Sequence, residues 1–198
     1  MKCGEENPAE ATLCSRCTWP FSVDAWHKTT IKLRKVTIDT SCINAKGRNA
    51  DLNRLERLAE AGKLLIQRAD VMLEELDSIE RVAKAHNTEP HPEPWLLGIT
   101  GRSELGMTTH LGGPDLSDPL RDILFPSTKR LSPNQERDVE HLRSHVSTGG
   151  DVFVSLNTRD FIARGKQAAL SGLGIWVFTP GTLVSLLDEL YGWKHADA

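Results

Sequence analysis

Short apolar runs and stretches of helical spacing alternate along the chain from residue 31 onward. A short run bounded by turn residues predicts a buried strand, whereas apolar residues three or four positions apart predict one face of a helix. The predicted strands cover residues 31–38, 63–71, 151–155 and 175–178. The predicted helices cover residues 49–61, 72–84, 133–146, 164–170 and 180–191.

The order of these elements predicts the architecture. Ser132, Pro133 and Gln135 form a capping box that begins the helix at residues 133–146. Because strands alternate with helices, we expect an α/β fold with three layers, α/β/α, and a central parallel sheet. In such sheets ligands bind beyond the carboxyl ends of the strands, so the residues that follow each strand are candidates for function.

Two segments depart from this pattern. Residues 1–28 carry three of the four cysteines and form a small appendage, while residues 31–195 form the main domain. Within the main domain, residues 86–133 contain seven of the ten prolines, so we expect a loop-rich insert with short helical pieces near residues 120–124. A loop segment of this length in a compact domain is either functional or partly mobile.

Composition narrows the class of protein. A net charge of -3 and a hydrophobic content of 39% are typical of a globular protein that bulk charge does not hold to nucleic acid, although a local phosphate site is compatible with them. No apolar stretch approaches the roughly 18 residues of a membrane span. The N-terminus has no apolar signal core, so we expect a cytoplasmic protein without a membrane partner.

Polar residues follow the predicted strands or lie on the adjacent helices. They are Asp39, Thr40, Ser41, Glu74, Glu75, Asp138, Ser155, Asn157 and Asp160. Clustered carboxylates repel one another unless a cation is present, and hard oxygen ligands suit Mg²⁺ or Mn²⁺. Such ions activate water and stabilise a leaving oxygen in phosphodiester hydrolysis. Each residue alone is typical of a cap, a turn or a solvated face; the ordered set indicates a site.

These segments resemble the ordered motifs of PIN domains over about residues 36–191. The opening VTIDTS resembles a strand that ends in Asp-Thr-Ser, and VMLEEL resembles the second motif, with Glu75 at the matching position. In this chain DVEHL and GDVFVS are similar to the third acidic motif of the family and the strand that follows it. The fourth motif, in its Asn-containing form, and the closing strand are similar to SLNTRDF and IWVFTP.

The resemblance implies a Mg²⁺- or Mn²⁺-dependent ribonuclease that hydrolyses single-stranded RNA. By position in the motifs, its implied catalytic metal ligands are Asp39, Glu75, Asp138 and Asn157, and Ser155 orients water or the acidic cluster. Asn157 stands where many members carry Asp, which weakens a second metal site. The implied substrate contacts are Thr40, Ser41, Arg48, Arg159, Asp160 and His141, with Lys46 and Arg164 as further candidates for phosphate contacts.

Many members of this family are toxins of toxin–antitoxin pairs. The resemblance therefore implies RNA as substrate, with an antitoxin or another protein as a candidate partner and a homodimer as a candidate assembly. Two alternatives stay open. One is a catalytically weak or inactive module that binds RNA or protein. The other is a different phosphoesterase on a similar sheet, although no glycine-rich phosphate loop follows the first strand and no Walker-type lysine is present.

The appendage resembles a zinc ribbon with an incomplete ligand set. Cys3, Cys14 and Cys17 flank an Asn-Pro turn and are the implied ligands of a Zn²⁺ ion on which folding of so small a module would depend. The fourth ligand is His27 or a residue upstream; a degenerate ribbon without metal is the alternative. Such a module would contact RNA or a protein partner.

The remaining candidate residues have two interpretations each. Cys42 follows the first strand without a nearby His–Asp arrangement, so we expect a buried packing residue rather than a nucleophile. His141 and His145 stand four residues apart on one helix, a spacing that suits a transition metal when His110 or Asp39 adds a ligand. Alternatively, these histidines pack or form hydrogen bonds within the fold.

Overall fold

Parallel strands pair side by side at the centre of the fold. The computed structural model describes residues 33–69, 89–90 and 116–193. The strands are β1 (Lys35–Ile38), β2 (Leu65–Arg68), β3 (Glu89–Pro90), β4 (Val152–Val154) and β5 (Val177–Phe178). The helices in the same ranges are α1 (Thr40–Ala45), α2 (Ala50–Glu60), α3 (Ser117–Leu124), α4 (Pro133–Ser147), α5 (Thr158–Phe161), α6 (Lys166–Gly172) and α7 (Pro180–Tyr191).

The strand order β3-β2-β1-β4-β5 reverses its direction of growth at β1. The chain first builds from β1 to β2 and β3, then pairs β4 with the other side of β1 and adds β5. All of these pairings are parallel, so the predicted α/β fold with a central parallel sheet is confirmed. Connections leave β1 and β4 in opposite directions, and ligands of open α/β sheets bind at such a switch point.

Apolar side chains alternate between the two faces of the sheet. Val36, Ile38 and Val154 belong to a core that α2 and α7 cover. Phe153 and Val177 belong to a second core, which α3, α4 and α6 cover. Successive residues of a strand point to opposite faces, and β4 and β5 each contribute side chains to both cores. Helices therefore pack on both faces of the sheet.

A partly buried ion pair joins α2 to α7. Arg54 donates to both carboxylate oxygens of Asp188, with 2.8 Å between Nη1 and Oδ2. Its Nη2 also donates to the carbonyl oxygen of Trp193 at 2.8 Å. The side chains are 16% and 10% exposed, and two-point pairing of a guanidinium with a carboxylate restricts their geometry. The last helix is thereby attached to the helix that follows β1.

Most predicted elements in the described ranges are present. The capping box of α4 forms, because Ser132 Oγ accepts from Gln135 N at 3.4 Å and Gln135 Oε1 accepts from Ser132 N at 2.9 Å. Helix α7 covers the predicted residues, Pro180–Tyr191. Strand β2 is shorter than predicted because its ladder with β1 runs only from the Lys35–Leu65 pair to the Ile38–Arg68 pair.

Three differences from the prediction have local causes. The sequence does not predict α1 or α5, whose six and four residues are too few to show a helical apolar period. Strand β3 lies within the insert that was expected to be loop, and it pairs with Gln67 and Arg68. Helix α6 begins two residues later than expected because Arg164 and Gly165 are left-handed, with φ of 59° and 78°.

Several predictions fall on residues outside the described ranges. The cysteine-bearing appendage at residues 1–28, the helix predicted at residues 72–84 and most of the insert at residues 86–133 all lie there. Within the ranges that are described, no helix combines the length and the apolar character that crossing a membrane would require.

Gly150 allows α4 to pass closely over β1. It donates its backbone N–H to the carbonyl oxygen of His145 at 3.0 Å. A Cβ atom at this position would overlap the imidazole ring of His145 and would lie 2.7 Å from Thr37 Oγ1. Both neighbours are buried, so neither has space to move away. This position therefore requires glycine because there is no space for a side chain.

We expect Gly150→Ala to destabilise the protein by about 1–3 kcal/mol, because the added methyl overpacks a buried ring. Urea unfolding at neutral pH would measure the loss. The matched control is Gly172→Ala at the end of α6, where a Cβ atom meets nothing within 4 Å. That variant should be neutral or slightly stabilising. Equal stability of the two variants would contradict the packing argument.

Candidate functional site

The carboxyl edge of the sheet, where the parallel strands end, brings two polar residues together at the switch point. Asp39 follows β1 and Ser155 follows β4, and these strands are direct neighbours. The Asp39 N–H donates to the carbonyl oxygen of Val154 at 2.9 Å, so backbone pairing continues to the site residues themselves. The two side chains share one face of the sheet because they continue the alternation of β1 and β4.

The carboxylate of Asp39 is buried and held from one side. Only 5% of the residue is exposed. Its Oδ2 atom accepts from Ser155 Oγ at 2.7 Å and from Ser41 Oγ at 2.6 Å. Among the described residues, all hydrogen bonds to this carboxylate reach Oδ2. Oδ1 is therefore the oxygen that this arrangement presents to a ligand.

Backbone amides orient the two hydroxyls that hold Asp39. The Leu156 N–H donates to Ser41 Oγ at 3.0 Å, and the Asn157 N–H donates to Ser155 Oγ at 2.9 Å. Each hydroxyl thus accepts a hydrogen bond from a backbone amide and donates one to the Asp39 carboxylate. Hydrogen bonds that run in one direction polarise one another, so the two chains fix the position of Asp39.

Helix α4 lies across β1 and extends past the carboxyl edge. His145 Nδ1 is 2.8 Å from Thr37 Oγ1, and His141 Nε2 is 3.4 Å from Thr40 Oγ1. Helix α4 therefore runs antiparallel to β1, with its N-terminal end toward the carboxyl edge of the sheet. Asp138 lies one turn before His141, which places it about 4.5 Å farther along the helix axis, beyond the end of β1. Asp39 and Asp138 are consequently at the same edge.

His141 and His145 contribute to the fold on this face. They are 0% and 2% exposed, and each forms a hydrogen bond with a threonine at β1 or just after it. The ring of His145 also contacts the ring of Phe153 edge-on, with 5.7 Å between centroids. These contacts correspond to the packing interpretation of the pair. His141 is nevertheless within one turn of Asp138, at the edge that carries the candidate site.

Asn157 begins α5 and binds Asp160. Its Oδ1 accepts from the Asp160 N–H at 3.3 Å, and its Nδ2 donates to Asp160 Oδ2 at 3.0 Å. The side-chain amide that was expected to supply a metal ligand is therefore engaged as a helix cap. Asp160 therefore fixes the turn at the start of α5.

Arg159 and Lys166 surround the carboxylate of Asp160. Arg159 Nη2 donates to Asp160 Oδ2 at 3.2 Å, and Lys166 Nζ is 4.0 Å from Oδ1. Burial alone would raise the pKa of Asp160. Hydrogen bonds from Arg159 and Asn157, with the charges of Arg159 and Lys166, outweigh that effect and hold the pKa below its usual value. Asp160 is thus a stable anion that orients two cations.

Asp138 acts electrostatically on the same two cations. The hydrogen bond and charge of Asp160, together with the charge of Asp138, raise the pKa of Arg159. Burial lowers the pKa of Lys166, while the charges of Asp160 and Asp138 oppose that shift. Asp138 of α4 therefore acts on cations of the segment that follows β4. The Arg159 side chain is 85% exposed, so its guanidinium is accessible to an anionic ligand.

The other predicted phosphate contacts have local roles. Arg48 Nη2 donates to the carbonyl oxygen of Asn44 at 2.7 Å, within the connection from α1 to α2. Lys46 forms a 2.8 Å ion pair with Glu56, and its side chain is only 9% exposed. Lys46 is therefore a structural cation. Arg164 is exposed at the left-handed turn before α6.

Cys42 is a buried packing residue, as its sequence context predicts. It is 0% exposed, and its Sγ contacts the carbonyl oxygen of Val154 at 3.4 Å. Burial, with the nearby charge of Asp39, raises the pKa of the thiol to about 12. A thiol with that pKa is protonated at neutral pH and is a poor nucleophile.

Some predicted ligands lie outside the described residues. They are Glu75 of the second motif, His110 of the insert, and Cys3, Cys14, Cys17 and His27 of the appendage. Sequence reasoning in turn missed Gln67 and Thr37, which line the buried face beside Asp39. A polar residue inside the apolar run of β2 was the available indication for Gln67.

The donor atoms at the carboxyl edge are oxygens of the kind that hard divalent cations prefer. Among them, no three His, Cys, Asp or Glu side chains form a group that could hold a metal ion. Asp39 and Asp138 nevertheless supply two carboxylates to one edge, and Mg²⁺ sites commonly use one or two protein carboxylates with water and phosphate oxygens. The chemistry of this donor pair suits Mg²⁺ or Mn²⁺ better than a soft metal.

Comparison with known proteins identified no relative of this chain. No protein-family model, no curated protein and no solved structure matches the chain. The assignment of function therefore depends on the geometry of the site and on the sequence motifs.

We expect Ser155→Ala to destabilise the protein by about 1–3 kcal/mol, because it leaves the Asn157 N–H without its acceptor and removes one of the two hydroxyl donors to the buried Asp39 Oδ2. Chemical denaturation at neutral pH would measure the change. Ser185→Ala is the control, since that exposed hydroxyl only donates to a carbonyl oxygen of its own helix. A Ser155→Ala variant as stable as the control would show that the Asp39 network contributes nothing to stability.

The contribution of Asp160 should depend on pH. A lowered pKa in the folded state means that the carboxylate stabilises the fold above its unfolded pKa of about 3.9, and that this contribution is lost as pH falls through the folded value. Asp160→Asn should therefore be less stable than the wild type at pH 7 by up to about 1 kcal/mol. The difference should shrink below about pH 4. Thermal unfolding from pH 2 to pH 7 would test it, and a difference that grows on acidification would contradict it.

Proposed function

We propose that this protein is a Mg²⁺- or Mn²⁺-dependent endoribonuclease that hydrolyses phosphodiester bonds of single-stranded RNA, with the PIN-like fold that its motifs indicate. One observation carries the proposal. The buried carboxylate of Asp39 lies at the switch point of a parallel sheet, with Oδ2 saturated by two hydroxyls and Asp138 at the same edge. A carboxylate fixed in this way is prepared for a ligand on its other oxygen.

Asp39 and Asp138, with Glu75 of the second motif, would hold the cation. When bound, such an ion lowers the pKa of a coordinated water and stabilises negative charge on a phosphodiester. Ser41 and Ser155 keep the Asp39 carboxylate in one orientation. Because a rigid ligand does not have to reorganise during the reaction, these hydroxyls contribute to rate as well as to stability.

Arg159 would bind the phosphate backbone beside the cleavage point. Its guanidinium is exposed and is held by Asp160 on the side that faces the protein. Arginine presents donors in a planar fork that matches phosphate oxygens, and contacts to phosphate position a nucleic acid without reading its sequence. Asp160 orients this fork, and Asn157 holds Asp160.

The test is cleavage of an unstructured RNA by the purified protein in Mn²⁺, with Asp39→Asn and Asp138→Asn beside the wild type. Each variant should lose activity by about a hundredfold or more, since even the outer partners of metal ligands are worth 10–100-fold. Each should also remain folded, as far-ultraviolet circular dichroism would show.

Glu189→Gln is the control for removal of a carboxylate. Glu189 is exposed near the end of α7, a helix that starts at the carboxyl edge and runs back toward the amino edge of the sheet. Its activity should equal that of the wild type. Wild-type protein without Mn²⁺-dependent cleavage, or undiminished cleavage by Asp39→Asn, would refute the nuclease assignment.

A second function has one observation in its favour. The Asn157 amide is occupied by Asp160 on both its oxygen and its nitrogen, so a second cation would have to displace that contact. A site of this kind would suit a catalytically weak or inactive module that binds RNA or a protein. Retained RNA affinity without turnover stimulated by Mn²⁺ would favour this alternative over the nuclease.

A further inference from the structure

Gln67 stands on the same face of the sheet as Asp39. In the register of β1 and β2, Gln67 is the partner of Thr37, and partners in a parallel ladder point to the same face. Thr37 and Asp39 also share a face because they are two residues apart on extended chain. The preceding pair in the ladder, Val36 and Ile66, points to the opposite face, where both residues belong to the first core.

The amide oxygen of Gln67 is buried without a hydrogen-bond partner among the described residues. The residue is 7% exposed, and its Oε1 atom accepts no hydrogen bond there. Its neighbours on this face are paired: Thr37 with His145, Thr40 with His141, and Ser155 with Asp39. A buried polar atom without a partner costs free energy, and in native proteins it often marks the position of a water, an ion or a ligand.

Gln67 is close enough to share a ligand with Asp39. Neighbouring strands lie about 4.8 Å apart and each residue advances about 3.3 Å, so the two Cα atoms are about 8 Å apart along a diagonal. Both side chains extend from the same face, and together they span that distance with an ion between their oxygen atoms. The Asp39 oxygen that remains for such an ion is Oδ1, since Oδ2 binds two hydroxyls.

We propose that Gln67 Oε1 is a neutral oxygen ligand, direct or through one water, of the divalent cation that Asp39 and Asp138 hold. The inference rests on the proposed function for the presence of a cation, and it adds a ligand from β2. Amide oxygens are hard donors like carboxylates, so Gln67 keeps the site selective for Mg²⁺ or Mn²⁺ without adding charge. A site of two carboxylates and an amide should bind more tightly when the amide is replaced by a carboxylate.

Binding of Mn²⁺ to the full chain without RNA tests this directly. Titration calorimetry and the electron paramagnetic resonance signal of free Mn²⁺ would give the dissociation constant for the wild type, Gln67→Met and Gln67→Glu. Methionine has similar volume and lacks the hard oxygen, so Gln67→Met should weaken binding about tenfold or more. Gln67→Glu should tighten it. The opposite directions distinguish lost coordination from general damage to the fold.

Gln167→Met is the matched control. Gln167 is a half-buried amide on α6 whose Nε2 donates to the carbonyl oxygen of Val177 at 2.6 Å. This change removes an amide from the domain without removing one from the site, so the Mn²⁺ dissociation constant should stay within twofold of the wild type. Thermal unfolding without metal would establish that all variants are folded before titration.

The outcomes separate this inference from the nuclease assignment. If both Gln67 variants bind Mn²⁺ as the wild type does while Asp39→Asn does not, Gln67 is not a ligand and the nuclease proposal stands. If Gln67→Glu weakens binding and Gln67→Met does not, the amide faces an anion and the inference is overturned. Wild type that binds no Mn²⁺ refutes both. Binding that depends on Gln67 and Asp39, without RNA cleavage, supports the ligand and refutes the nuclease.

Discussion

The hydrogen bond from Ser155 to Asp39 joins the ends of the two central strands, and the rest of the site is arranged around it. Parallel neighbours β1 and β4 finish side by side, but their connections depart in opposite directions and leave a gap at the edge. A buried carboxylate in that gap is costly unless its oxygens are satisfied. The two serine hydroxyls satisfy one oxygen, and this asymmetry gives the carboxylate a bound side and a ligand side.

Helix α4 connects the hydrophobic core to this polar edge. Leu142 packs in the second core, while His145 binds Thr37 of β1 and His141 binds Thr40 at the start of α1. The two contacts are about one helical turn apart on α4, so the helix is held at two points near the end of β1. Asp138 reaches the edge because the same helix is anchored twice below it.

Charge is balanced locally around the candidate site. Asp160 and Asp138 lie near Arg159 and Lys166, so the segment after β4 carries both signs within a few residues. Asp39, by contrast, accepts hydrogen bonds from neutral hydroxyls, and no arginine or lysine of the described ranges pairs with it. A carboxylate held by neutral donors retains its attraction for a divalent ion, which distinguishes Asp39 from Asp160.

The amino-acid sequence by itself determined the features that depend on neighbours along the chain. The capping box at Ser132 and the helix beginning at Pro180 can be read from local spacing. Asp39 and Ser155 were identifiable because each directly follows an apolar strand, and parallel strands end at one edge. Helices α1 and α5 were missed because elements of six and four residues contain too little periodicity.

Only the tertiary structure decided which distant side chains meet. The bond between Ser155 and Asp39, the burial of Gln67 beside Thr37 and the pairing of Lys46 with Glu56 depend on strand register and helix packing. Local sequence carries no record of those distances, because the free energy that sets them comes from burying surfaces far apart in the chain. The amide of Asn157 shows the same limit, since its position predicts an oxygen ligand and its contacts make it a helix cap.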